Sequence, residues 1–269
     1  MMPSAGQPDS PDAGVSVEVT DHIATIEIRN PSRRNAIGVP IARRIVQICR
    51  DVEADPDVGG IIIQGAGGNF CSGGDRSELA AASADPLTNE NMARVSAIYD
   101  AFVEFGTVGL PTVAAVRGAA VGAGLNLALS ADVRIVADDA RLLPGFIPNG
   151  FHPGGGHMLL LHRAAGPDAS AAIGMLGAAV SGKDAARLGL AWASCPDADV
   201  QLKARELLSS IARDPDLARH AKRSYIAQTR SGSIDWRAAL GVERVAQSWS
   251  FARAGRHASA DPTASSSAE

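Results

Sequence analysis

Three glycine-rich loops, Gly65–Asp75 (GAGGNFCSGGD), Gly118–Gly124 (GAAVGAG) and Gly150–Gly156 (GFHPGGG), constrain this chain more than any other feature. The first two follow short apolar runs that read as buried strands, Val58–Gln64 and Pro111–Val116. These runs are too short for helices and too uniformly apolar for strands with one face in water. Another strand is expected at Asp132–Ala137, ahead of the third loop. Helical spacing follows the loops: Met92, Val95, Ile98, Tyr99 and Phe102 mark one helix, and His157–Arg163 begins another. Alternation of buried strand, loop and helix is the pattern of an α/β fold. Upstream, Val15, Val17 and Val19, then Ile23, Ile26 and Ile28, flank Thr20-Asp21 with near-alternation and predict a hairpin of half-buried strands. Ile41, Ile45, Ile48, Cys49 and Val52 continue as a helix entered at Pro40. Ser181-Gly-Lys-Asp184 opens a mostly helical remainder with a capping-box variant.

Composition narrows the class. With 46% hydrophobic but only 4% aromatic residues, the core must be built from Ala, Val, Ile and Leu. The 25 basic and 29 acidic residues give a net charge of −4 without a Lys/Arg run, which speaks against nucleic acid as a partner. No apolar segment reaches the ~18–20 residues of a membrane span, and the first residues lack a charged start and an apolar signal core. A soluble, cytoplasmic protein is therefore expected. Cys49, Cys71 and Cys195 stand far apart and suggest neither a disulfide framework nor a zinc site. The chain divides into disordered tails at 1–14 and 258–269, a core at 15–195 and a helical region at 196–257, forming one domain with decorations.

Glycine loops let backbone N–H groups converge where side chains would obstruct them. Taken singly, each loop is simply a tight turn. A phosphate cradle would need GxxxxGK[ST], which is absent, or GxGxxG after the first strand with a downstream acid, which is also absent. An oxyanion hole assembled from two loops is the remaining chemical reading.

The ordered set Asn30–Ala36 within NPSRRNAI, GGNFCSGGD, LPTVAAVRGAAVGAGLNLALSADVRI, GFHPGGG and SGKDAARLGL resembles the crotonase (enoyl-CoA hydratase/isomerase) superfamily over most of Val15–Phe251. The resemblance implies an α/β spiral of ββα units with a helical C-terminal region, assembled as a homotrimer or hexamer and serving fatty acid metabolism. It implies an acyl-CoA thioester as substrate, with coenzyme A part of that substrate and no separate cofactor or metal. Family oxyanion amides fall on Gly74 and Ala123. The segment around Ser32–Ala36 would meet the CoA nucleotide, with Arg33 either a phosphate contact or a solvated charge. Ala36, Ser72, Phe146 and Gly150 fall at substrate-binding positions.

The sequence departs from the family at the chemistry. Asn126 and Phe146 occupy the positions of the two glutamates that activate water in family hydratases, and neither can act as a general base. Asn126 either holds a water or substrate oxygen, or caps a turn. His152 and His157 bracket the third loop, each either a proton carrier with an ordinary pKa of ~6.5 or a packing residue. Asp75 is either catalytic or a helix cap. Cys71 has no histidine near it in sequence and reads as a small buried residue. After the Glu243–Phe251 helix, ARAGRHASADPTASSSAE replaces the family's closing helix and implies a more open acyl pocket. The expected function is an acyl-CoA enzyme of the hydratase/isomerase type that stabilises a thioester enolate; the alternative is a catalytically degenerate acyl-CoA-binding protein. A serine peptidase on the same spiral would need a nucleophile and triad, and GxSxG is absent.

Overall fold

The computed structural model describes residues 14–229, together with 236, 237, 240, 241, 244, 247, 248, 251 and 252. The predicted tails at 1–14 and 258–269 lie outside the described residues, apart from Gly14, which opens the first strand. Strands β1 (Gly14–Thr20) and β2 (Ile23–Arg29) form the predicted antiparallel hairpin, in register Val17 with Ile26. The hairpin is not evenly half-buried, however. Only Val15 of β1 is buried, because β1 is the outer strand and Val17 and Val19 have no layer above them.

Helix α1 (Val39–Ala54) carries Pro40 in its first turn and buries Ile41, Ile45, Ile48, Cys49 and Val52. Strands β3 (Gly60–Gly65), β4 (Thr112–Val116), β6 (Val133–Ala137) and β9 (Ala193–Cys195) extend the sheet in parallel, in the order β1-β2-β3-β4-β6-β9. β4 is buried throughout, as its unbroken apolar run requires. Three short strands, β5 (Ala119–Val121), β7 (Arg141–Leu143) and β8 (Val180–Ser181), form a second sheet. Sequence periodicity missed these, since two or three residues carry no readable alternation.

The chain therefore runs as repeated ββα turns: β1-β2-α1, then β4-β5 into α4 (Ala123–Ser130), then β6-β7 into α5 (His157–Ser170). α2 (Arg76–Ala84) and α3 (Asn89–Thr107) connect β3 to β4, and α3 packs on α1 and α4. α6 (Gly182–Arg187) begins at Ser181, whose hydroxyl accepts from the Asp184 N–H at 3.1 Å, as the capping motif predicts. α7 (Val200–Ala212) covers β2, β3, β4 and β6, and α8 (Pro215–Thr229) packs against α7. Among the described residues, no helix is long and apolar enough to cross a membrane.

One polar tie joins these layers from beneath. Asp132, at the entry to β6, accepts from the Thr112 N–H (2.9 Å), the Thr112 hydroxyl (3.0 Å) and the Lys222 ammonium of α8 (2.5 Å). Lys222 is itself buried.

Candidate active site

Two glycine loops meet where β3 and β5 end. Gly73 has φ +104°, and a methyl group there would lie 2.9 Å from the Val121 carbonyl oxygen and 3.8 Å from the Ala123 nitrogen. Only glycine lets the first loop come this close to the second. The loop is held by Ile37 N–H donating to Gly73 O (2.8 Å) and Asp75 N–H donating to Ile37 O (3.0 Å). That pairing turns the intervening Gly74 N–H to the opposite side. Ala123 is the first residue of α4, so its N–H has no acceptor within the helix and sits at the positive end of the helix dipole. Gly74 and Ala123 both line one cavity of about 480 Å³. Gly74 and Ala123 thus bring residues of two separate loops to one cavity, and backbone amides aimed into such a space can stabilise charge on a carbonyl oxygen.

The rest of the cavity wall is mostly apolar or amide, with Arg76 and the hydroxyl-bearing Ser72, Ser83 and Tyr99 among its polar residues. No Asp, Glu, His, Lys or Cys is among the described residues that line it. Phe146 sits beside the amides: a methyl on Gly122 would lie 3.8 Å from its ring tip. Its ring packs edge-on against His157, with centroids 5.0 Å apart. Asn126 lines the cavity from α4, and its Nδ2 donates to the Gly154 carbonyl at 2.8 Å. Because that carbonyl can only accept, Oδ1 faces His157, and His157 Nδ1–H donates to it at 2.7 Å. Asn126 is therefore not a turn cap. Together with His157 it clamps α4 to the third glycine loop and to α5.

The hydrogen bond fixes the His157 tautomer and leaves Nε2 as a bare lone pair, buried and without a hydrogen-bond partner among the described residues. Burial lowers the His157 pKa from 6.5 to about 3, so the ring is neutral in the native protein at pH 7. The unfolded chain takes up a proton near pH 6.5 that the native state refuses until about pH 3. His157 therefore costs no stability above pH 6.5 and an increasing amount as pH falls through that window, at no more than about 1.4 kcal/mol per pH unit. His157→Gln keeps a donor for Asn126 and removes the titration. Denaturant unfolding at pH 7 and pH 4.5 should show the pH-dependent loss shrinking in the variant, and an unchanged loss would refute this account.

The other predicted residues fall at or beside a second recess of about 540 Å³, which shares Ser72, Gly74 and Arg76 with the first. Arg33, Arg34 and Ala36 line it. Arg33 is ion-paired with Asp75, so it is not simply a solvated charge. Asp75 caps α2, accepting from the Ser77 N–H at 2.8 Å and from the Ser77 hydroxyl. Burial acts to raise the Asp75 carboxyl, but the Ser77 hydroxyl, Arg33 and the Ser77 N–H outweigh it and hold the group below the usual carboxylate range. Ser72 donates its hydroxyl to the Arg33 carbonyl at 2.8 Å, which occupies it structurally rather than as a nucleophile. Cys71 is fully buried, with its thiol pushed up to about 12 by burial.

The structure separates the two histidines from the cavity. His152 turns Nδ1 to the Pro153 carbonyl at 2.7 Å, and neither it nor His157 lines the space. Gly150, at φ +75°, lies exposed and also off the wall, where its neighbour Asn149 takes its place. Gln247 and Phe251, within the expected Glu243–Phe251 helix, line the wall, while residues 253–269, on which the expectation of an open pocket rests, lie outside the described residues. Gly73 was hidden by its own lack of a side chain, and its only signal was the doubled glycine ahead of Asp75.

Comparison with known proteins bears on the family and the fold. The chain matches the sequence model described as enoyl-CoA hydratase/isomerase over residues 18–243. It is 38% identical over 222 residues to the probable enoyl-CoA hydratase EchA14 of Mycobacterium tuberculosis, covering 82% of this chain and 84% of that protein. It is 26% identical over 223 residues to the 1,2-epoxyphenylacetyl-CoA isomerase of Escherichia coli, covering 82% and 84%. The crystal structure of an enoyl-CoA hydratase from Mycobacterium avium subsp. paratuberculosis superposes with a TM-score of 0.77 over 92% of this chain and 99% of that one. At 24% identity, that likeness speaks to the fold.

Proposed function

This chain belongs to the enoyl-CoA hydratase/isomerase family of the crotonase superfamily, and from that premise we propose that it binds an acyl-CoA thioester with the carbonyl oxygen between the Gly74 and Ala123 amides. The observation that carries the reading is that Gly74 and Ala123, from two separate loops, line one cavity adjoining a recess that holds Arg33, Arg34 and Arg76. Phosphate-bearing CoA suits that recess, because three guanidinium groups there face one carboxylate, Asp75. The amides polarise the thioester carbonyl and stabilise negative charge on its oxygen. Asn126 and Phe146 stand where family hydratases carry glutamates, and among the described residues the wall offers no carboxylate in their place. Water is consequently not activated by a side-chain base, and the phenyl ring keeps the oxyanion position dry.

Hydration of crotonyl-CoA should therefore run slower than in a two-glutamate family member by roughly 10²–10⁴. Loss of the enoyl absorbance, measured alongside calorimetric titration with the same thioester, tests this. Tight binding with slow hydration is the expected result. Fast hydration at neutral pH would reject the glutamate replacement, and no binding of any acyl-CoA would reject the site. The same bare wall favours a second reading, an acyl-CoA-binding protein without turnover, which is distinguished by the absence of any converted thioester. Assembly of copies into a trimer or hexamer fits the exposure of Trp192 and Leu176, at 73% and 71%, and a cytoplasmic setting fits three buried free thiols.

A further inference from the structure

The chain is poor in aromatic residues, and five of its eleven line one cavity. Of its six phenylalanines, four line the acyl cavity, Phe102, Phe146, Phe151 and Phe251, and Tyr99 joins them. They arrive from three separate stretches of sequence: α3, the segment around the third glycine loop, and the C-terminal stretch. The two remaining phenylalanines, Phe70 and Phe105, are fully buried in a core otherwise dominated by aliphatic side chains, away from this wall. The rings are also mutually arranged. Phe151 and Phe251 meet nearly edge to face, with centroids 5.1 Å apart and planes at 72°. Tyr99 and Phe102 lie 6.3 Å apart at 41°, and Phe146 is braced on His157. Among the described residues, each of these three ring pairs contributes at least one ring to the cavity wall. Gly155, at φ +74°, brings the third loop against this cluster: a methyl there would lie 3.2 Å from the Phe102 ring and 2.8 Å from Asn126 Nδ2.

We propose that the acyl group this cavity selects is an aryl one, carried close to the thioester as in an arylacetyl or arylacryloyl group, rather than a linear aliphatic chain. The inference rests on the acyl-CoA reading above and narrows its substrate class. A flat ring lying against these wall rings gains edge-to-face contacts that an alkyl chain of equal area does not. Phenylalanine side chains have only two torsions to fix, so the slot is rigid before the ligand arrives. A flexible chain must in turn surrender its torsional freedom to fit.

The test is a calorimetric competition series on the full chain with phenylacetyl-CoA, cyclohexylacetyl-CoA, octanoyl-CoA and acetyl-CoA. Phenylacetyl and cyclohexylacetyl groups match in size and differ in π-character. Phenylacetyl-CoA should bind about tenfold tighter than cyclohexylacetyl-CoA, and tighter still than octanoyl-CoA. Phe151→Leu should bring the first ratio close to one, and Phe251→Leu provides the same reading if the first variant fails to fold. Equal affinity for the two cyclic groups, or preference for the octanoyl chain, overturns the aryl proposal and leaves acyl-CoA binding standing. Binding of none of the four, acetyl-CoA included, overturns the acyl-CoA reading and this proposal with it.

Discussion

Gly73→Ala should lower turnover of any acyl-CoA that the wild type converts by roughly 10²–10³, the effect of losing one oxyanion donor. The added methyl would stand 2.9 Å from the Val121 carbonyl oxygen, at a backbone φ of +104° that alanine adopts only with strain. Both penalties are relieved the same way, by the first loop drawing back from the second. Gly74 is the next residue, so its amide leaves the shared position while Ala123, held at the head of α4, stays. A spectroscopic reading does not depend on turnover. A conjugated acyl thioester whose carbonyl is polarised by two amides absorbs further to the red when bound, and most of that shift should vanish in the variant. An unchanged shift and rate would mean that the two loops do not form a joint site. Thermal unfolding of the variant separates local withdrawal from general collapse.

Lys222→Met should destabilise the fold by roughly 3–5 kcal/mol, because it removes the ammonium from a carboxylate at the base of the sheet. Arg134, whose guanidinium also feels the Asp132 charge, holds the loss toward the lower end. Adding Asp132→Asn to the first substitution should recover part of the loss. The amide oxygen still accepts from Thr112, no carboxylate is left without its ammonium, and the buried Arg134 keeps its bonds to the Leu190 and Ala131 carbonyls. Urea unfolding of the single and double variants measures both values. A loss below about 1 kcal/mol for the single variant would show that the pair behaves as a surface ion pair. The consequence reaches the site indirectly, since Asp132 also ties the start of β4 to that of β6 through Thr112.

The sequence was most legible where one period governed a whole element. Ile41 to Val52 and the β4 run state their structure in their spacing, and Asp75 and Ser181 sit where caps were expected. Legibility failed where the answer depended on a neighbour distant in sequence. β1 alternates like a half-buried strand, but nothing in the sequence says that no layer lies over its Val17 and Val19. Tyr99 and Phe102 follow helical spacing and read as core, yet they fall on the face of α3 that borders the cavity. Asn126 and His157 are 31 residues apart, and only the fold closes the hydrogen bond that makes one the orienting partner of the other. The resemblance singled out Gly74 and Ala123, whereas the close approach of their two loops depends on Gly73, which it did not single out.

The shared wall of the two recesses has a consequence for how a ligand is read. Ser72, Gly74 and Arg76 border both spaces, so a molecule long enough to fill them is held by one short run of backbone at two places. Once the charged end is seated, the reactive end no longer searches solution. It samples a small volume beside the amides, at an effective concentration set by the tether between the two ends rather than by the bulk. Grip on the remote end can then be spent on holding the carbonyl where charge will form, and recognition far from the chemistry becomes a component of rate.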